Sequence, residues 1–158
     1  MKPLPHDYEV ELTGGPQGYS TISAAGLPDL TTAPPAEYDG PGDAWSPEHL
    51  LLASVSSCFL FTFRAVARTL RAEFQDVGAH TSGIVSRVGG VTRFTDVVIR
   101  ATVTAAAGAS TELLQRAIDK TTAHCLVSSS LTTPVRVEAV IQAAGGSGSV
   151  DERLKRIA

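Results

Sequence analysis

Nowhere does this chain carry a block of Lys or Arg, and its formal net charge is −3. A nucleic-acid-binding surface, which neutralises phosphates with clustered cations, is therefore not expected. There is no CxxC, no Cys/His set at zinc spacing, no GxGxxG and no GxxxxGK[ST]. Zinc, dinucleotide and phosphate-loop chemistry lose their usual signatures. His6, His49, His80 and His124 are scattered, so no metal site and no cofactor is expected. The opening MKPLPHDYEVEL has no apolar run and no cleavage-site pattern. It predicts no signal peptide and a cytoplasmic protein. With only two cysteines, a disulfide framework is excluded, and in a reducing compartment two thiols are redox-active or structural before they are a permanent bridge.

What the chain does have is one long apolar stretch, Ser46 to Ala72. Ser46 is a good N-cap, Pro47 a good first helical residue, and Glu48 suits the positive end of a helix dipole. From His49 to Phe63 there is no charged residue, and apolar side chains go round every side. That pattern predicts a helix buried on most of its surface. A bilayer span needs roughly 20 apolar residues. The run here is shorter and is interrupted by Ser54, Ser56, Ser57 and Thr62, so a soluble core and no membrane contact are expected. A helix of 26 residues, over 47–72, is about 39 Å long at 1.5 Å per residue. Its apolar surface asks for a second layer, which points to a homodimer sharing it.

Around this helix the chain reads as strands. Residues 7–13 alternate, with Tyr8, Val10 and Leu12 on one face, and predict a half-buried strand. Gly14 to Gly18 is a turn, 19–25 pairs back as a hairpin, and 29–32 reads as a short third strand. Residues 33–45 form a Pro/Gly-rich loop whose Tyr38 and Trp45 either wall a pocket or seal the core. Beyond the helix come a strand over 77–88, with a bulge expected at Gly78 or Gly83, a Gly89-Gly90 hairpin turn and a strand over 92–105. Ser110 caps an amphipathic helix over 111–124, which ends at His124-Cys125. An irregular stretch follows, then a last strand from Val135. Residues 145–158 read as a flexible linker and a short tail helix. Strands do not alternate regularly with helices, so the fold class is α+β, with one domain over 1–144.

The thiols carry the chemistry. Cys58 lies mid-helix in apolar surroundings, and Cys125 at a helix end. As a small hydrophobe, either could simply fill the core. For Cys58 to react, something must lower its pKa. Cys58 is mid-helix, so no helix N-terminus is expected to do so, and a nearby cation is expected instead. A reactive thiolate would attack a peroxide and become a sulfenic acid, which a second thiol condenses to a disulfide.

The stretch PEHLLLASVSSCF resembles the motif of the OsmC/Ohr family, the osmotically inducible and organic-hydroperoxide-resistance proteins. There an Asn-Pro-Glu-(Glu/Gln)-Leu opening leads through small residues to Ala-Cys-Phe. Pro47, Glu48, Leu50, Cys58 and Phe59 match at the family spacing. The family's second motif, Cys-Pro-x-Ser at a helix end, stands here as Cys125-Leu126-Val127-Ser128. The resemblance implies antiparallel sheets around a long central helix in an intertwined homodimer. It implies a cysteine-based peroxidase for organic hydroperoxides, reduced by a small or lipoyl-bound dithiol. By position Cys58 is then the peroxidatic thiol, Cys125 the resolving one, and Glu48 the carboxylate that positions an active-site arginine. That arginine follows a Gly-Gly in the hydroperoxide-resistance branch. Here Gly14-Gly15 is followed by Pro16, which leaves Arg64, Arg68, Arg87, Arg93 and Arg100, of this subunit or the partner, as substitutes, with Arg64 and Arg68 favoured because a partner subunit would bring them near. Leu126 stands where the family has proline. The alternative is a diverged, non-catalytic dimer that binds an apolar molecule between its central helices.

Overall fold

The computed structural model describes residues 3–144, so the expected linker and tail over 145–158 lie outside the described residues. The chain divides between Leu51 and Leu52 into two compact units. The first holds a three-stranded antiparallel sheet in the order β1-β2-β3, with β1 Glu11–Gly14, β2 Ser20–Ser23 and β3 Leu30–Thr32. Gly14 pairs with Ser20, which closes the expected hairpin, and β3 adds to β2 from Leu30 onward. The strand expected over 7–13 is shorter and is not half-buried. All four β1 residues are exposed, and Tyr8, Val10 and Leu12 stand 87%, 74% and 65% exposed. Alternation records which side chains need cover; among the described residues nothing supplies it.

Helix α1, Pro47–Leu70, begins in the first unit and continues through the second. Ser46 caps it as expected: its Oγ accepts from the His49 N–H at 3.3 Å, and its carbonyl accepts from Leu50. The far end closes with a paired motif. Arg71 adopts a left-handed φ of 55°, the Ala72 N–H reaches back to the Ala67 carbonyl at 2.9 Å, and that of Arg71 to Arg68 at 3.3 Å. These are the two bonds that satisfy a helix's last orphan carbonyls. At 24 residues α1 is long and apolar enough, by length and composition, to cross a bilayer, which its interrupted uncharged run did not suggest.

The burial of α1 corrects the expectation of cover on most sides. Only Val55, Phe59, Phe63 and Ala67 are buried, a single stripe at every fourth residue, while Phe61 is 62% exposed. The stripe packs on the second unit's sheet, ordered β4-β5-β6: β4 Phe74–Val88, β5 Val91–Ala105 and β6 Val135–Gln142. Val55 and Phe59 meet Val97, Ile99 and Ala101. Phe63 and Ala67 meet Val103 and the inner side of α2, Thr111–His124, through Leu114, Ala117 and Ile118. Each of these large side chains contributes about 1.5–3 kcal/mol by leaving water.

β4 and β5 form an antiparallel hairpin through Gly89 and Gly90, both at positive φ (59° and 83°), as a two-residue turn of this twist requires. The expected bulge lies just past Gly83, between Ile84 and Val85; Gly78 pairs in regular register with Thr102. At Gly83 a Cβ would come within 2.7 Å of the Phe94 ring, so the missing side chain makes room for that ring. One expectation about the sheets needs correction: β6 lies parallel to β5, Val97 facing Val135 through Thr104 facing Gln142. The chain between them is long enough to cross back over the sheet, which parallel pairing requires.

Candidate functional site

Both cysteines belong to the second unit. Cys58 sits on α1 one residue before buried Phe59 and is partly exposed. Cys125 is only 2% exposed. It closes α2 and opens the next element, α3, a single turn over Leu126–Ser129. Its extended backbone (φ −68°, ψ 112°) swings the chain from one helix into the other. That turn holds both sulfurs. The Val127 N–H donates to Cys58 Sγ at 3.4 Å, and the Ser128 hydroxyl donates to Cys125 Sγ at 3.3 Å.

The surroundings push the two thiols apart. Burial raises the Cys58 pKa, but the Val127 N–H, the Cys125 thiol, the Thr62 hydroxyl and the Leu126 N–H outweigh it, and the net shift is downward. Burial raises Cys125. Ser128 opposes this through side chain and backbone, the neighbouring Cys58 adds to the rise, and the net shift is upward. A thiolate is the nucleophilic form, so the more exposed, lower-pKa Cys58 is the better nucleophile of the pair.

The donors that lower Cys58 among the described residues are backbone amides and hydroxyl and thiol groups. Among the described residues no guanidinium is one of the groups that shift this thiol. Arg64 lies 5.7 Å over the Phe61 ring, Arg87 donates to the Gly90 carbonyl, and Arg100 reaches Ser82 and Glu138. Arg68 and Arg93 are exposed.

Thr62 and the amide of Val127 were missed in the sequence. Thr62 had a signal, since it lies four residues after Cys58 and so on the same face of α1. The amide had none, because it depends on where a four-residue turn falls.

Glu48 lies in the first unit, in the first turn of α1. Its Oε2 is buried and has no hydrogen-bond partner among the described residues. It lines a cavity of about 360 Å³ with Leu12, Pro34, Pro35, Tyr38 and Pro47. Trp45 borders a second hollow of about 350 Å³ with Asp43 and His49. Its ring meets the His49 imidazole edge-on at 6.4 Å. Tyr38 and Trp45 are about half exposed, so of the two readings of these rings the structure favours walls over seals. Among the described residues no group of three or more His, Cys, Asp or Glu could hold a metal ion.

Comparison with known proteins places the chain in a family. The chain is 26% identical over 107 residues to the uncharacterized protein YmaD of Bacillus subtilis, a match covering 66% of this chain and 71% of that one. An OsmC-like protein of unknown function from Vibrio cholerae superposes with a TM-score of 0.79 at 19% identity, covering 86% of this chain and all of the other. An organic hydroperoxide resistance protein from Elizabethkingia anophelis gives 0.71 at 20%, over 90% and 99% of the two chains. The organic hydroperoxide resistance protein OsmC of Legionella pneumophila gives 0.69 at 23%, over 89% and 99%. At such identities these structures speak for the fold. The family model described as OsmC-like protein matches residues 40–140, and the chain belongs to the OsmC-like family.

Proposed function

We propose that this protein is a cytoplasmic, homodimeric thiol peroxidase that reduces organic hydroperoxides. The observation that carries the reading is the pair of thiols served by one turn, with Cys58 held below and Cys125 above its ordinary pKa. The Cys58 thiolate attacks the outer oxygen of the hydroperoxide, the O–O bond breaks, and the alcohol leaves with a proton. Cys58 is then a sulfenic acid. Cys125 attacks its sulfur, water departs, and a Cys58–Cys125 disulfide remains. A dithiol, small or lipoyl-bound, returns both thiols.

Glu48 is the residue proposed to position an arginine toward this chemistry. Its unpartnered, buried Oε2 supports that role, since a buried carboxylate oxygen gains from a charged donor. The test is peroxide consumption under excess dithiol, in the native protein and in Glu48→Gln. The native protein should turn over an organic hydroperoxide faster than hydrogen peroxide, and Glu48→Gln should lose about tenfold, the scale of one charge-assisted hydrogen bond. No turnover of either peroxide would reject the enzyme.

One observation favours the binding-module alternative: among the described residues no guanidinium is one of the groups that shift Cys58. On that reading Cys58 and Cys125 are core thiols, and peroxide leaves both reduced.

A further inference from the structure

Resting on the reading that Cys58 and Cys125 cycle through a disulfide, we infer that the reducing dithiol attacks Cys58, and that Ser128 is the positioning residue that stabilises Cys125 as it leaves. Thiol–disulfide exchange runs with three sulfurs close to a line, so the attacked sulfur must be open on the side away from its partner. Access and leaving-group quality together choose which sulfur that is.

The two criteria pull in opposite directions. Cys58, with donors already around its sulfur, is the better leaving group, which favours attack on Cys125. Access favours Cys58: Cys125 is 2% exposed, whereas Cys58 is partly exposed. A hydrogen bond changes a rate by about an order of magnitude, and a closed approach removes the reaction. Access therefore decides, and Cys125 must depart from surroundings that disfavour its thiolate.

Ser128 answers that difficulty. Its hydroxyl donates to Cys125 Sγ at 3.3 Å. The Ser129 hydroxyl, by contrast, is engaged by the carbonyls of Cys125 and Leu126, and that of Ser130 by Leu126. Of the three consecutive serines, only Ser128 serves a sulfur.

The step balances as follows. One thiol of the reductant loses its proton to solvent, and its sulfur bonds to Cys58 Sγ. The Cys58–Cys125 bond breaks, and its electron pair leaves on Cys125, which accepts the Ser128 hydrogen bond and then a proton from solvent. The reductant's second thiol, ionised in turn, attacks its own neighbour in the mixed disulfide. Cys58 is released as the thiolate, and the reductant departs as a cyclic disulfide carrying two electrons fewer.

The test makes the protein disulfide with diamide, so that it does not depend on peroxide chemistry. A limiting monothiol, 2-mercaptoethanol, is mixed in, the reaction is quenched with acid within its first turnover, and the adduct is mapped by peptide mass. The adduct should fall on Cys58. In parallel, dihydrolipoamide reduction of the same disulfide should slow about tenfold in Ser128→Ala and recover in Ser128→Thr, the loss expected for one hydrogen bond to a developing anion. An adduct first on Cys125, or a Ser128→Ala protein reduced at the native rate, overturns the inference. So does failure of diamide to join the two cysteines. A disulfide that forms with diamide but never with hydroperoxide rejects the peroxidase and leaves this inference standing.

Discussion

The backbone N–H of Val127 donates to the sulfur of Cys58 across 3.4 Å, from a residue 69 positions further along the chain. An amide cannot be titrated or swung away as an arginine side chain can, so the help it gives Cys58 is fixed by the fold. This bears on pH. Cys58 should react with iodoacetamide at a lower pH than Cys125, because its donors outweigh burial, whereas at Cys125 burial and the neighbouring Cys58 outweigh the Ser128 donors. The same shifts act on stability in opposite senses. The lowered Cys58 contributes stability that is present above the unfolded thiol value and lost as pH falls through its native value. The raised Cys125 contributes stability that is present below the unfolded value and lost as pH rises through its native one. Alkylation rates read residue by residue by mass should show two separated midpoints, Cys58 first.

Leu126 offers a test of the turn that carries Val127. It is 70% exposed, it is the first residue of α3, and Cys125 before it is already extended at ψ 112°. Proline favours the first helical position and wants an extended residue before it. Leu126→Pro, which restores the family residue, should therefore stabilise the protein by about 0.5 kcal/mol, through loss of freedom in the unfolded chain. It also deletes the Leu126 N–H, the smallest of the groups that lower Cys58. Thermal melting should rise slightly while the Cys58 alkylation midpoint moves up.

Arg71 ends α1 at φ 55°, a left-handed backbone that costs a residue with a Cβ about 1 kcal/mol. Glycine has no such cost there and is the usual residue of this terminal motif. Arg71→Gly should raise the unfolding free energy by roughly that amount. Urea denaturation with an unchanged slope would register it as a stability change alone.

How much of this could be read beforehand follows from which interactions are local. The Ser46 and Ser110 caps, the Gly89-Gly90 turn and the apolar face of α2 depend on residues a few positions apart, and all stand where the sequence puts them. The parallel pairing of β6 is not local. It depends on the path of the chain between β5 and β6, which no strand pattern encodes. The burial of α1 was misjudged for another reason. Composition shows that a side chain needs cover without showing what provides it, so a helix apolar all round has one buried stripe among the described residues. At the candidate site the two thiols were legible by motif. The donors to Cys58 were not, since an amide has no sequence signature.

That uncovered apolar surface carries its own expectation. Phe61 on α1, and Tyr8, Val10 and Leu12 in the first unit, are more exposed than apolar side chains of a finished core. Obligate interfaces resemble a core cut in half. Light scattering should give about twice the chain's 16.5 kDa at micromolar concentration, and Phe61→Asp should lower that mass or aggregate the protein. A folded native species of single-chain mass would rule out the dimer.

The order of oxidation of the two thiols bears most directly on the proposed chemistry. The protein is treated with one equivalent of an organic hydroperoxide, quenched at intervals, and mapped by mass in three forms: native, Cys125→Ser and Cys58→Ser. The native protein should pass to a Cys58–Cys125 disulfide, Cys125→Ser should stop at a sulfenic acid on Cys58, and Cys58→Ser should leave Cys125 reduced at the same dose. If Cys125 is oxidised first in the native protein, or neither thiol reacts faster than free cysteine, the protein is not a peroxidase of this kind.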